Sequence, residues 1–335
     1  MYLPVPDEGF SPQLFRPLPL LASGWAQTIG AVCWPRLADL RPTAWHTVPL
    51  PDGDQLIVAE NRPRPWRPGD RIVVLVHGLA GSSASKDLVR LCRKLVRSGY
   101  LVMRVNLRGC GPGFGLARHL YHSGRSEDLR EVNRWVGAAF PDSPVTQIGF
   151  SLGGNITLKL AGEDGATPPG RLDSLVAVSA PIDLAAAARR LAQPENRFFD
   201  RYFARLLVRH VARQRQRFPD LPGVRFPADM TLRQFDDLCT APWSGFRDAD
   251  DYYARASSER LIPHISCPAL VLCAADDPIV DAQCYRRLPP SRNVRLVLTT
   301  HGGHVGFLAR PGKPWRGVRW MDDVILNWVR RLPPS

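Results

Sequence analysis

Hydrophobic positions along this chain fall into short continuous runs that alternate with helical patterns. The run RIVVLVHG at 71–78 is apolar almost throughout, as a strand buried on both faces must be. In SKDLVRLCRKLVRSG, which follows, Leu88, Leu91, Leu95 and Val96 recur on one helical face and Gly99 supplies the stop. The alternation repeats. YLVMRVNLRG (100–109) reads as a strand, and SEDLREVNRWVGAAF as a helix with Glu127 and Asp128 in the first turn, where the dipole favours them. PVTQIGF reads as a strand, LGGNITLKLAGE as a helix and LDSLVAVSAP as a strand. Further on, PALVLCAADDPIV and VRLVLTTHGGH read as strands, and VRWMDDVILNWVRRL as a closing amphipathic helix. Ahead of all this, TVPLPDGDQLIVAE holds two alternating runs around Pro51-Asp52-Gly53, a hairpin signal. The pattern predicts an α/β fold whose parallel sheet is covered by helices on both faces.

Two stretches depart from it. Residues 1–44 are proline-rich and predict an irregular N-terminal arm wrapping the domain. Residues 185–262 are helical and polar, with no strand pattern; they predict a helical cap inserted into a core formed by 45–184 and 263–335. Residues 17–35 lack charge but contain Pro17, Pro19, Ser23, Gln27 and Thr28. A membrane span needs about 20 mostly apolar residues, so this segment is expected to lie against the core or a membrane interface. The opening MYLPVPDEGF is acidic and proline-containing, unlike a signal peptide.

Composition adds two constraints. The formal charge of +13 in 335 residues favours acidic partners. Its source is scattered arginine, with lysine only at 86, 94, 159 and 313, and no finger, RNP strand or basic zipper is present, so no nucleic acid is expected. Within the cap, Arg201, Arg205, Arg209 and Arg213 recur every four residues, extended by Arg215 and Arg217. A helix sets the first four along one stripe, with Tyr202, Leu206 and Leu207 free to face elsewhere. The bland reading is a solvated surface; the sharper one is peripheral contact with anionic membrane lipids. Seven cysteines, none in a CxxC pair, and no His cluster at zinc spacing fit a reducing compartment. The expectation is a cytoplasmic protein, peripheral at the inner membrane face if the cap binds lipid, with no metal and no cofactor.

Candidate chemistry centres on GFSLG at 149–153, a G-x-S-x-G motif between a predicted strand and a predicted helix. That is the setting of a nucleophile elbow, a turn so sharp that side chains at Gly149 and Gly153 would collide with backbone. Ser151 then projects at the carboxyl edge of the sheet. Serine needs a base, and the base an orienting acid. Both follow in the order this fold uses, after later strands: Ala274-Ala-Asp276-Asp277-Pro-Ile-Val280, then His301-Gly-Gly-His304-Val-Gly-Phe307. Acid loops of the type Asp-x-apolar-Val select Asp277, leaving Asp276 to hold the loop. His304 follows a flexible Gly-Gly and precedes an apolar anchor, so it is selected over His301. Backbone N–H donors for an oxyanion are expected from Leu152 and, in the loop after RIVVLVHG, from Leu79. His77 stands in the wrong part of the order for a base and is read as packing.

Other features receive structural readings. Arg108-Gly-Cys110-Gly-Pro-Gly113 lacks a G-K-[ST] ending and an acidic ribose partner, so it reads as a loop shaping the pocket. Cys110 reads as a small packed hydrophobe. Asp248, Asp250 and Asp251 read as ion-pair partners.

HGLAGSS (77–83), NLRGCGPG (106–113), YHSGRSEDL (121–129), GFSLGGN (149–155), TAPWSGFRDADDYY (240–253), CAADDPIV (273–280) and HGGHVGF (301–307) occur in sequence. Together they resemble the YheT-like branch of the α/β-hydrolases, which includes mammalian membrane-associated abhydrolase-domain lipases and esterases. The resemblance runs from about residue 15 to 330. It implies an eight-stranded, mostly parallel sheet, carboxylic-ester hydrolysis and a triad at Ser151, Asp277 and His304. The chain departs from the branch at Gly24-Trp25-Ala26-Gln27-Thr28, where Gly-His-Leu-Gln-Thr is usual, so no role is borrowed for that segment.

The expected function is a serine hydrolase that cleaves short- to medium-chain acyl esters or lipids through an acyl-enzyme. Thioesterase or acyltransferase activity on the same triad is one alternative. A degenerate hydrolase serving as a membrane- or partner-binding module is the other; an intact Ser, Asp and His set argues against it.

Overall fold

Eight apolar runs pair into one sheet in the computed structural model, which describes residues 14–35, 40–311 and 317–333. The MYLPVPDEGF segment and Lys313 lie outside the described residues. The strands are β1 (Ala44–Pro49), β2 (Gln55–Asn61), β3 (Ile72–Val76), β4 (Leu101–Asn106), β5 (Val145–Phe150), β6 (Leu172–Val178), β7 (Ala269–Ala274) and β8 (Val294–Thr299). Their order is β1-β2-β4-β3-β5-β6-β7-β8. β2 runs antiparallel to both neighbours, and every pairing from β4 to β8 is parallel. The sheet is therefore mostly parallel, as the alternation predicted.

Helices α1 (Gly24–Cys33), α2 (Lys86–Arg97), α3 (Ser126–Ala139), α4 (Leu152–Asp164), α5 (Leu184–Leu191), α6 (Arg197–Arg217), α7 (Leu232–Phe235), α8 (Ala241–Trp243), α9 (Ala249–Ala256), α10 (Gln283–Arg286) and α11 (Trp320–Arg331) complete the chain. The two-residue period of β3 divides its side chains between two cores. Val73 and Leu75 meet Leu88, Leu91 and Leu95 of α2 and Trp320 and Trp328 of α11. Ile72, Val74 and Val76 meet Val132 and Val136 of α3 and Ile156 of α4. With both faces covered, β3 has no exposed residue, which is why its sequence does not alternate.

Between β6 and β7 the chain runs through α5 to α9, with a π turn at Asp236–Thr240. Among the described residues this stretch contains no strand. Helix α6 buries Ala204, Leu207 and Val211 against the core and turns Arg201, Arg205, Arg209 and Arg213 to solvent. Tyr202 corrects the sequence reading: it is exposed beside these arginines, because position 202 lies close to 205 and 209 around a 3.6-residue turn. The cap acids are held locally. Asp248 caps α9 by accepting from the Asp251 amide, Asp250 pairs with Arg233 at 2.7 Å and Asp251 with Arg255 at 3.2 Å.

The N-terminal arm also needs correction, since residues 24–33 are helical. The prolines lie outside that span, and Ser23 supplies an N-cap by accepting from the Ala26 amide. No described helix is long and apolar enough to cross a membrane.

Candidate active site

β5 ends at Phe150 and α4 begins at Leu152, so the whole change of direction falls on Ser151. Its φ of 51° and ψ of −122° are strained for a residue with a side chain. Surrounding backbone enforces the turn. A Cβ on Gly149 would lie 2.2 Å from the Gly153 carbonyl oxygen, and one on Gly153 would lie 2.5 Å from that of His77. Glycine at both positions lets β5, α4 and the β3 loop meet.

The loops after β7 and β8 bring a carboxyl and an imidazole to this serine. The Ser151 hydroxyl and His304 Nε2 are 2.9 Å apart, and His304 Nδ1 lies 2.9 Å from Asp277 Oδ2. Asp277 is 1% exposed, and its Oδ1 accepts from the amides of Ile279 at 2.8 Å and Val280 at 3.0 Å. One carboxylate oxygen is thus fixed by its own loop while the other faces the imidazole. The network assigns Nδ1–H as donor to Asp277 and Nε2 as acceptor from serine.

The neighbouring acid and histidine do something else. Asp276 accepts from the Gly303 amide at 2.9 Å, and its second oxygen lies 3.4 Å from Nδ1 of the exposed His301. Burial raises its carboxyl above the ordinary value, opposed by that amide. Asp276 and His301 therefore tie the two loops together beside the Ser151–His304–Asp277 line.

Among the described residues, neither the Leu79 nor the Leu152 amide has an acceptor, and both residues border the cavity beside Ser151. The next amide, Ala80, is taken by the Tyr121 hydroxyl at 2.9 Å. His77 does more than pack. Its Nδ1 donates to the Gly78 carbonyl at 2.7 Å, and its Nε2 accepts from the Leu107 amide at 3.1 Å, clamping the loop that carries Leu79. Burial pushes its pKa down to about 4, with the Gly78 bond opposing.

Ser151 stands between two cavities. An open apolar groove of about 500 Å³ contains Ser151 and His304 and is flanked by Ile29 and Val32 of α1 and Phe198 and Tyr202 of α6. A narrower chamber of about 90 Å³ lies under the cap, walled by Leu79, Leu152, Leu207 and Phe235. Trp25 stacks on Phe199 at 4.3 Å and joins the two lips of the groove.

Helix α1 is the functional element the sequence reading missed. The His304 amide donates to the Thr28 hydroxyl at 2.9 Å. Gln27, fully buried, donates to the Leu308 carbonyl and accepts from the Leu308 amide, bracketing the histidine loop. A Cβ on Gly24 would fall 1.7 Å from the Asp276 carbonyl oxygen, so α1 packs directly on the acid loop. The available signal was the Gly24–Thr28 segment, which keeps the Gly, Gln and Thr of the usual Gly-His-Leu-Gln-Thr. Arg190, whose Nε donates to the Asp277 carbonyl at 2.7 Å, was equally unmarked.

The glycine-rich loop has a different anchor from the pocket. Buried Arg108 donates to Asp128, Asp52 and Asp54, and the Cys110 thiol is buried with its pKa pushed up. Asp52, Asp54 and His119 come within reach of one ion, but the guanidinium of Arg108 already lies on both carboxylates.

Residues 71–311 match the family model for the α/β hydrolase fold. The Escherichia coli protein YheT, named as an esterase, is 34% identical over 292 residues, 85% of this chain and 84% of its own. A monoacylglycerol lipase of Saccharomyces cerevisiae is 30% identical over 77% of this chain and 59% of its own length. The mouse phospholipase ABHD3 is 29% identical over 78% and 63%, so the chain spans about three fifths of these two relatives. Among solved structures, the Pyrococcus furiosus esterase Pf2001 gives a TM-score of 0.57 at 17% identity, covering 89% of this chain and 96% of that one, a likeness of fold.

Proposed function

The chain belongs to the α/β-hydrolase family, and from that membership we propose that it is a serine hydrolase cleaving carboxylic esters through an acyl-enzyme. The observation that carries this reading is the unbroken hydrogen-bonded line from Ser151 through His304 to Asp277. Ser151 Oγ attacks the ester carbonyl carbon while His304 Nε2 takes its proton. Asp277 holds the imidazole and stabilises its positive charge. The amides of Leu79 and Leu152 receive the negative charge that develops on the carbonyl oxygen; one such donor is worth about 3 kcal/mol. His304 then protonates the departing alcohol. Water, deprotonated by the same imidazole, releases the acid and restores Ser151.

The apolar groove supports an acyl chain or lipid as the hydrophobic part of the substrate, in keeping with relatives named as a monoacylglycerol lipase and a phospholipase. The lips of that groove support peripheral contact with an anionic membrane. Ile29, Val32, Phe198 and Tyr202 expose apolar surface at its mouth, and Arg201, Arg205 and Arg209 turn to solvent beside them, with Arg201 also acting electrostatically on the Asp200 carboxylate. Such a surface seats aromatic and aliphatic tips at the lipid boundary and arginines on phosphates. The site would then work at an inner, cytoplasmic face.

A fluorophosphonate probe tests the reading. Wild type is expected to label and to turn over p-nitrophenyl esters, and Ser151→Ala to do neither with its circular dichroism unchanged. Labelling that survives this substitution would sink the assignment.

A further inference from the structure

The chamber beside Ser151 contains a carboxyl for which the ester chemistry has no use. Asp236 stands on its wall at the start of the π turn, 6% exposed, within a lining rich in leucine that also includes Tyr121, Tyr252, His122 and His210. Its Oδ1 accepts from the Thr240 hydroxyl at 2.7 Å and its Oδ2 from the Tyr253 hydroxyl at 2.8 Å. Each oxygen keeps a second acceptor position. Among the described residues Asp236 makes no ion pair. Arg233, the cation that acts on it electrostatically, is tied to Asp250 on the exposed side of the cap. Burial pushes the carboxyl up to about 7, against the two hydroxyl bonds.

A hydrocarbon chain seated against this wall would leave the second acceptor position of each carboxyl oxygen desolvated and unfilled, a costly arrangement. A donor-bearing group would complete it. The cavity sizes give the same division: the groove of about 500 Å³ suits the long apolar part of a substrate, and the chamber of about 90 Å³ a short one. We propose that the chamber is a subsite for the alcohol part of the ester, and that Asp236 accepts a hydrogen bond from a hydroxyl or ammonium group carried there. The preferred substrates are then esters of polyols or amino alcohols. This rests on ester hydrolysis at Ser151. A purely structural Asp236, joining Thr240 to Tyr253, would serve all substrates alike.

Two octanoate esters of equal size separate these roles: 2-hydroxyethyl octanoate and propyl octanoate, which differ by a hydroxyl in place of a methyl. A site built to bond a hydroxyl rejects the analogue lacking it, so wild type is expected to favour the hydroxyethyl ester in kcat/KM by about tenfold or more. Asp236→Asn, which keeps one acceptor oxygen and turns the other into an amide donor, is expected to shrink that ratio at least about fivefold. Equal wild-type turnover of the two esters overturns the proposal and leaves ester hydrolysis standing. Hydrolysis of neither overturns both. The wild-type comparison needs no substitution, so an unstable variant does not obscure it. An undiminished ratio in folded Asp236→Asn would also overturn the proposal.

Discussion

The backbone amide of His304 donates to the hydroxyl of Thr28 at 2.9 Å, across 276 positions of sequence. His304 is thus held from behind by helix α1. Removing that hydroxyl leaves a part-buried N–H unsatisfied, a change worth about 1–3 kcal/mol. Thr28→Val is expected to lower kcat on a p-nitrophenyl ester about tenfold with KM nearly unchanged, because geometry at the imidazole suffers and not substrate binding. Thr28→Ser, which restores the acceptor, is expected to recover most of the rate. A loss in Thr28→Ser with none in Thr28→Val would mean that the threonine methyl, not its hydroxyl, matters.

The adjacent acids Asp276 and Asp277 separate by function in the same assay. Asp277 faces the imidazole and Asp276 the Gly303 amide. Asp277→Asn is expected to reduce kcat about 10⁴-fold, the loss that follows when an amide sets the wrong histidine tautomer. Asp276→Asn is expected to stay within about tenfold of wild type, as for the loss of a supporting bond. The reverse ranking would reassign the acid.

Stability should respond to acid through His77. Burial holds its folded pKa at about 4 against the ordinary 6.5 of a histidine, so the folded state keeps it neutral while the unfolded chain takes a proton. Stability from this group is complete above pH 6.5 and falls as the pH drops toward 4. Between pH 7 and 5 the linkage is worth about 2 kcal/mol. Urea unfolding at both values should show His77→Gln losing less stability than wild type over this interval. Identical losses would place the titration elsewhere.

Membrane contact predicts a salt-sensitive partition. Sedimentation with vesicles containing phosphatidylserine is expected to capture the protein at low salt and release it as screening rises. Charge reversal at Arg201, Arg205 and Arg209 together should weaken capture at least about tenfold, given what each basic residue contributes near an anionic surface. Phe198→Ser should weaken it further. Equal partitioning onto neutral and anionic vesicles at low salt would remove the idea.

Most of the sheet and the chemical line at its edge were legible before any coordinates. A strand buried on both faces must be apolar throughout, which marked 71–78, and a turn that admits no Cβ must spend glycine, which marked 149 and 153. Ser151, Asp277 and His304 follow because a loop after each strand can reach only the carboxyl edge. These are local demands, met by a few consecutive residues, so they leave a trace in the chain. The contacts between distant segments leave none. That Thr28 and Gln27 hold the histidine loop, that Tyr202 shares the solvent face with the arginines, and that Asp236 ends on a chamber wall all depend on how α1 and the cap lie against the sheet. Any of those residues would read as an ordinary surface or helix position in isolation. Local backbone constraint is written in neighbouring residues, whereas the meeting of remote ones is decided by packing, and only the folded chain contains it.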